Sequence, residues 1–480
     1  MEAISRSRVV NLYLLGALLL AIIATTLFIT HSSETSGIFI ACGIIALGVG
    51  IFSIVFPVFG YYITIFISFF IFDVIRVFNT DLPVVSVVDI LVYITFFGFI
   101  LQKTIKRESF FLHCKNPIMI GVALLILYRI IEYFNPNGGS TELYFLLFRR
   151  FLSLILFLYC SIQVFTDFKA VVNFLKVILI LCFIAALYGC YEKWFGMPKF
   201  ELNYILEDEM RYALNYMDNG EFRMSSIFSG CTDFGLFMAG TAIISLILFL
   251  QHWGQSKIQQ IFLLISVVIM SLAMAYSGTR TATFMLIVEV ILYILMTINQ
   301  KRTLLFTGVF AFLCCVIMLV PSYGNGTLIR LRSAFDLSKE ESLKVRDVNR
   351  HNIQPYIYQH PIGGGIGTTG AVYAQYNVGH PLAGFPTDSG ILNIVLEFGW
   401  LGLIVHFLGY FLVLQQGVQA YFRSRKKEFK VLLLASTVCY FGYVFAQYSQ
   451  TAIGQIPSSF LVYGIIAVII RLPQIEKKIS

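Results

Sequence analysis

Apolar runs about twenty residues long follow one another along this chain, and its charge falls almost entirely in the gaps between them. A helix that crosses a bilayer needs about 20 predominantly apolar residues, so this pattern leaves little choice of fold. Of the 480 residues 58% are hydrophobic and only 12% charged, where a soluble domain carries about 25% charged residues. A water-facing surface of ordinary polarity is therefore out of reach, and the expected class is an all-α polytopic membrane protein. The 46 Phe and 26 Tyr suit a lipid-facing surface and interfacial belts. The net charge of +8 sits in short clusters between the runs. That is the pattern of the positive-inside rule, and it points to membrane lipids and not to a nucleic-acid partner.

Fourteen spans are expected, near residues 9–30, 37–56, 58–78, 86–102, 117–134, 143–165, 170–193, 228–250, 258–276, 281–298, 303–321, 388–416, 431–448 and 455–471. Only Phe56 and Pro57 divide the second from the third, and proline begins or breaks helices. No cleavable signal peptide is expected. With the N-terminus inside, the cytoplasmic gaps read "QKTIKRESFFLHCKN", "TDFK", "QHWGQSK", "NQKR" and "YFRSRKKEFK", nearly all basic. The opposite gaps, such as "HSSETS", "NPNGGSTE" and "QYSQTAIGQ", are neutral or acidic. The count and the charge bias agree.

The chain then divides into spans 1–11 within residues 1–321, a large periplasmic loop over 322–387, and spans 12–14 with a cytoplasmic tail over 388–480. A second outer loop covers 194–227. The large loop holds six bases against four acids and no low-complexity tract, so it reads as a folded cap with one or two short helices near 338–360. Most of the nine cysteines fall inside apolar runs without metal-ligand spacing, so buried thiols and no metal are expected.

Several arginines stand on the side where basic residues are rare. Arg280, in "AMAYSGTRTATFML", lies at the outer mouth of two spans with no acid within four residues. Arg223 precedes the eighth span, Arg149 and Arg150 lie two turns into the sixth, and Arg346 and Arg350 share a helix face on the large loop. A charge in a membrane is costly unless paired or wetted. Asp73 with Arg76, and Arg129 with Glu132, have the spacing of helical pairs; Arg280 has no such neighbour. A guanidinium binds phosphate oxygens bidentately and stays charged at any relevant pH. Arg223, Arg280 and Arg346 are therefore expected to converge on a lipid-linked diphosphate.

A general base for a sugar hydroxyl would come from Asp388, or from His360 or His380. Asp388 could equally cap the helix that follows it. "HPIGGGIGTTG" contains Gly365, Gly367 and Gly370 in the spacing of a dinucleotide fingerprint, but in an outer loop a tight turn allowing close backbone approach to a sugar or phosphate is expected instead. "LEDEM" reads as a solvated acidic face, and Glu289 as a carboxyl held neutral or hydrogen-bonded inside the bundle.

"RMSSIFSGCTDFGLFMA", "SGTRTATFML", Arg346 before "HPIGGGIGTTG", and "TDSGILNIVLEFGWLGL" together resemble the bacterial O-antigen polymerase and ligase family, over about residues 223–403. The resemblance implies an inner-membrane glycosyltransferase with a GT-C-like bundle and a site facing the periplasm. Its donor and acceptor would be undecaprenyl-diphosphate-linked glycans, with no metal or nucleotide cofactor. A chain-length regulator is the partner protein such a polymerase would take. Ligases of this family carry histidine where this chain has Asp388, which favours a polymerase. Two other classes compete. A transporter would use Glu289, Arg129 and Glu132 as a proton relay, though no internal repeat is evident. A purely structural partner in an export complex would need no chemistry.

Overall fold

A computed structural model describes residues 34–78, 85–216, 220–252, 256–321, 326–333, 341–387 and 389–479; of residues 34–42, 333 and 341–346 it describes the backbone alone. The expected first span and Asp388 lie outside the described residues, as does the side chain of Arg346.

The described chain is helical throughout its ordered elements. In order the helices are α1 (Glu34–Val55), α2 (Pro57–Phe78), α3 (Val85–Lys106), α4 (Pro117–Ile131), α5 (Thr141–Val164) and α6 (Phe168–Phe195), then two short ones, α7 (Lys199–Leu206) and α8 (Glu209–Asn215). There follow α9 (Cys231–Leu250), α10 (Lys257–Tyr276), α11 (Arg280–Thr297), α12 (Lys301–Leu319), α13 (Gly326–Ser333) and α14 (Glu341–Gln359). The last three are α15 (Gly390–Arg423), α16 (Lys427–Ala446) and α17 (Ser458–Ile479). Among the described residues twelve helices are long and apolar enough to cross a membrane, and the described part of α1 adds a shorter apolar segment, Gly43–Val55. The chain is a polytopic membrane protein. Pro57 opens α2 directly after Phe56, so the tight second boundary is real. Proline is tolerated at a first helical position, where its missing N–H has no partner to lose.

The spans differ in how much of them the protein covers. In α9, α16 and α17 about four-fifths of the apolar window is buried, against 6% in α12, so the first three form the centre and α12 the rim. Small residues let the central helices approach closely. A Cβ on Gly240 of α9 would meet Cys439 Sγ and Tyr443 of α16 at about 3.1 Å and 3.0 Å, and Gly442 of α16 lies against the Glu289 carboxyl of α11. Glu289 is fully buried, and among the described residues neither of its oxygens has a hydrogen-bond partner. Cys160, Cys182, Cys190 and Cys439 are buried free thiols.

Of the two helical ion pairs read from spacing, one forms and one does not. Arg76 lies 3.6 Å from Asp73 and 3.4 Å from Glu201 of α7, and it also donates to the carbonyls of Ser226 and Phe228. Arg129 does not pair with Glu132. Its guanidinium stacks over the rings of Phe151 and Phe398, 4.1 Å and 4.8 Å from their centroids. Glu132 instead accepts from Asn135 Nδ2 at 2.9 Å. Two rings from other helices outcompete a neighbour three residues away, because the guanidinium face is more easily desolvated against them.

α15 is two helices joined by a break at Gly399, where φ is 65° and ψ −166°. The segment Pro361–Gly365 enters the break. Gly364 N donates to Leu396 O at 2.7 Å, Gly365 N to Glu397 O at 2.9 Å, and Trp400 N to Pro361 O at 2.9 Å. The backbone groups freed by the break are thus paired again, as irregular backbone at membrane depth requires.

Candidate diphosphate and glycan site

The turn Ser277–Thr279 links α10 to α11 and places Arg280 as the first residue of α11. Gly278 takes φ 60°, a conformation open to glycine and costly for other residues. Two guanidinium groups hold the turn. Arg223 donates from Nε to Ser277 O at 3.0 Å, from Nη2 to Thr279 Oγ1 at 3.0 Å and from Nη1 to Leu214 O at 3.1 Å. Arg330 Nη1 donates to Gly278 O at 2.9 Å. Arg223 is therefore engaged with the protein's own acceptors, and it positions the turn that presents Arg280.

The loop after α16 gathers the other arginines. Ser449 Oγ lies 3.0 Å from Thr281 Oγ1, one residue beyond Arg280. Arg350 donates to Tyr448 OH at 3.2 Å and stands 4.9 Å over the Tyr448 ring. Arg150 Nη2 donates to Gly454 O at 3.3 Å. The start of α15 closes the ring, with Ile391 N on Gln447 O at 3.1 Å and Gly390 N on Gln450 O at 3.3 Å. The N-cap of α15 is Ser389, whose hydroxyl accepts from Leu392 N at 3.3 Å, so the capping role open to Asp388 belongs to its neighbour. Residues 447–454 thus bring together Arg150, Arg350, the first turn of Arg280's helix and the residue after Asp388. Arg346 lies one turn before Arg350 on α14. Arg149 points elsewhere, 3.5 Å from Asp89 and 3.0 Å from Ser86 Oγ.

The histidines and Gly365 lie at the other end of α15's first half, about 13 Å along that helix from Ser389. A Cβ on Gly365 would meet Gly138 Cα at 2.7 Å, so its close backbone approach is to the protein itself. Asn135 and Asn137 donate to the carbonyl of Gly363 in the same place. His380 Nδ1 accepts from Leu382 N at 3.1 Å, which leaves Nε2 as the protonated nitrogen facing Asn137 O at 3.0 Å. Both of its nitrogens are committed. His360 Nδ1 faces Tyr356 O at 3.0 Å, and a carbonyl only accepts, so Nδ1 carries the proton and Nε2 keeps a lone pair. His360 can take a proton where His380 cannot without losing a contact.

Sequence reasoning missed Arg330, Tyr448, Asn393, Thr369 and Glu397. Thr369 Oγ1 joins Glu397 Oε1 at 2.8 Å and Asn393 Oδ1 at 2.6 Å, tying the glycine loop to α15. Nothing marks these as special in the sequence except a carboxylate in an apolar run. Arg330 carried a signal, a base on the arginine-poor side, that was counted only in the loop's charge.

Residues 265–407 match a family model described as O-antigen ligase. The match spans the Arg280 turn, Arg330, α14, the glycine loop and the break in α15; Arg149, Arg150, Arg223 and the 447–454 loop lie outside it. No curated protein matches the chain.

Proposed function

We propose that this chain, whose residues 265–407 match a family model described as O-antigen ligase, polymerises undecaprenyl-diphosphate-linked oligosaccharide repeats at the periplasmic face of a bacterial inner membrane. The observation that carries the proposal is the gathering of Arg150, Arg350 and the Arg280 helix around residues 447–454. Guanidinium groups fixed by protein contacts at a membrane surface are suited to a lipid diphosphate, whose charge grows as it leaves.

In this reading the acceptor sugar hydroxyl attacks the donor's anomeric carbon. The bond from that carbon to the diphosphate oxygen breaks, and undecaprenyl diphosphate leaves against Arg280, Arg350 and Arg346. The hydroxyl proton passes to a base, for which Asp388, the residue before Ser389 in sequence, is the first candidate and His360, at the other end of the first half of α15, the second. Arg223 and Arg330 hold the turn and do not touch the substrate. Arg149, paired with Asp89, drops from the set of phosphate ligands.

The test is incubation of purified protein with a synthetic undecaprenyl-diphosphate repeat unit. A ladder of lengthening products supports the polymerase. Transfer of a single unit to added lipid A-core, with no ladder, replaces it with the ligase that the family description names. Absence of both removes the transferase reading.

A further inference from the structure

At the end of the bundle opposite Arg280, two cavities meet. One, of about 830 Å³, opens between α6, α9, α10 and the start of α16. Its walls are mostly apolar, with Leu179, Ile180, Leu248, Phe262 and Leu263 among them, and lysines 169, 176 and 427 stand at its lining. The other, of about 480 Å³, lies where α11 gives way to α12 beside the end of α15. Its charged lining is Lys301, Arg302, Lys427 and Lys430, with no acid. The two share Gln251, Lys427 and Val431 in their linings, so they adjoin one another there.

Basic residues at one end of a membrane bundle normally serve orientation alone. Here they line a concavity, and an apolar trough runs from it between spans. Among the described residues none of Lys169, Lys176, Lys301, Arg302 and Lys427 forms an ion pair; the ion pairs use Arg76, Arg149 and Lys193. Glu428 is the single acid in either lining. The polar part offers cations and the apolar part a hydrocarbon-lined wall.

We propose that these adjoining cavities bind an anionic phospholipid, its phosphate beside Lys301, Arg302 and Lys427 and an acyl chain against Leu179, Leu248, Phe262 and Leu263. The combination of cationic pocket and apolar trough selects a lipid over a free anion. The site is separate from the diphosphate site, at the far end of α11, and stands whether or not the transfer reaction does.

The test uses the full chain in neutral detergent, titrated with phosphatidylglycerol or phosphatidylcholine and read by native mass spectrometry. One phosphatidylglycerol retained, with phosphatidylcholine lost, is the expected result. Replacing Lys301 and Lys427 with glutamine should weaken phosphatidylglycerol retention by about fivefold per cation removed. Leu179→Trp should weaken it by filling the trough while leaving every cation in place. Monodisperse elution of each variant separates loss of lipid from loss of fold. Equal retention of the two lipids, unchanged retention in the lysine variants, or displacement by millimolar inorganic phosphate would each overturn the proposal.

Discussion

Arg223 donates through Nε to the carbonyl oxygen of Ser277 at 3.0 Å, three residues ahead of Arg280. This contact divides the labour between two arginines that look alike in sequence. Arg280→Ala should lower glycan transfer by ~10²–10³-fold, the usual cost of losing one fixed charge stabiliser, with its melting temperature measured alongside. Arg223→Ala should lower both, because three acceptors lose a charged donor and each such bond contributes about 1.5–3 kcal/mol. Arg223→Lys should recover little, since a single ammonium cannot span Ser277, Thr279 and Leu214. Transfer assays beside thermal unfolding check this; an Arg280→Ala enzyme of full activity would remove the arginine site.

Gly278 gives a graded test of the same turn. Its φ of 60° is left-handed, while an added Cβ would sit 3.4 Å from Arg330 and 3.5 Å from Arg223, which is ordinary contact. The cost of substitution is therefore backbone strain, about 1–2 kcal/mol for a residue other than glycine. Asparagine tolerates this region best and a β-branched residue worst. Activity and melting temperature should both rank Gly278→Asn above Gly278→Ala above Gly278→Val.

Much of this architecture can be read in the sequence because a membrane span is a property of composition and length. The Phe56–Pro57 boundary and the helix over 341–359 were legible for similar local reasons. The break at Gly399 was not, since one glycine in "LEFGWLG" looks like any other in an apolar run, and what stabilises the break is a segment more than thirty residues earlier. The loop 447–454 was equally silent. It read as a neutral gap, and several of its contacts run through backbone carbonyls, which any residue supplies. The arginines were legible as a group, but not their roles. Arg129 and Arg223 are set by partners distant in sequence, Phe398 for one and Ser277 for the other.

The two histidines should separate cleanly. His360→Gln removes the free Nε2 lone pair, and if that atom takes the acceptor proton, kcat should fall by ~10²-fold or more without loss of stability. His380→Ala should lower the melting temperature instead, because Leu382 N and Asn137 O both lose a partner. Asp388→Asn is the comparison. A larger kcat loss there than in His360→Gln assigns the base to Asp388, and the reverse order assigns it to His360.

The last prediction concerns the break that joins the large loop to the bundle. At Gly399 a Cβ would meet the carbonyl oxygen of Pro361, Ile362 C at 2.5 Å and Gly363 N at 2.7 Å, all backbone, on top of a φ of 65°. Gly399→Ala must push the Pro361–Gly365 segment out of the break. The carbonyls of Leu396 and Glu397 then lose their N–H partners in apolar surroundings, at about 1–3 kcal/mol each. Gly409→Ala, ten residues on in the same helix, would meet only Leu125 Cδ1 at 3.4 Å. Gly399→Ala should therefore reduce the level of folded protein and its melting temperature sharply, while Gly409→Ala leaves both near the parent. Equal behaviour of the two variants would mean that the loop does not hold the two halves of α15 in place.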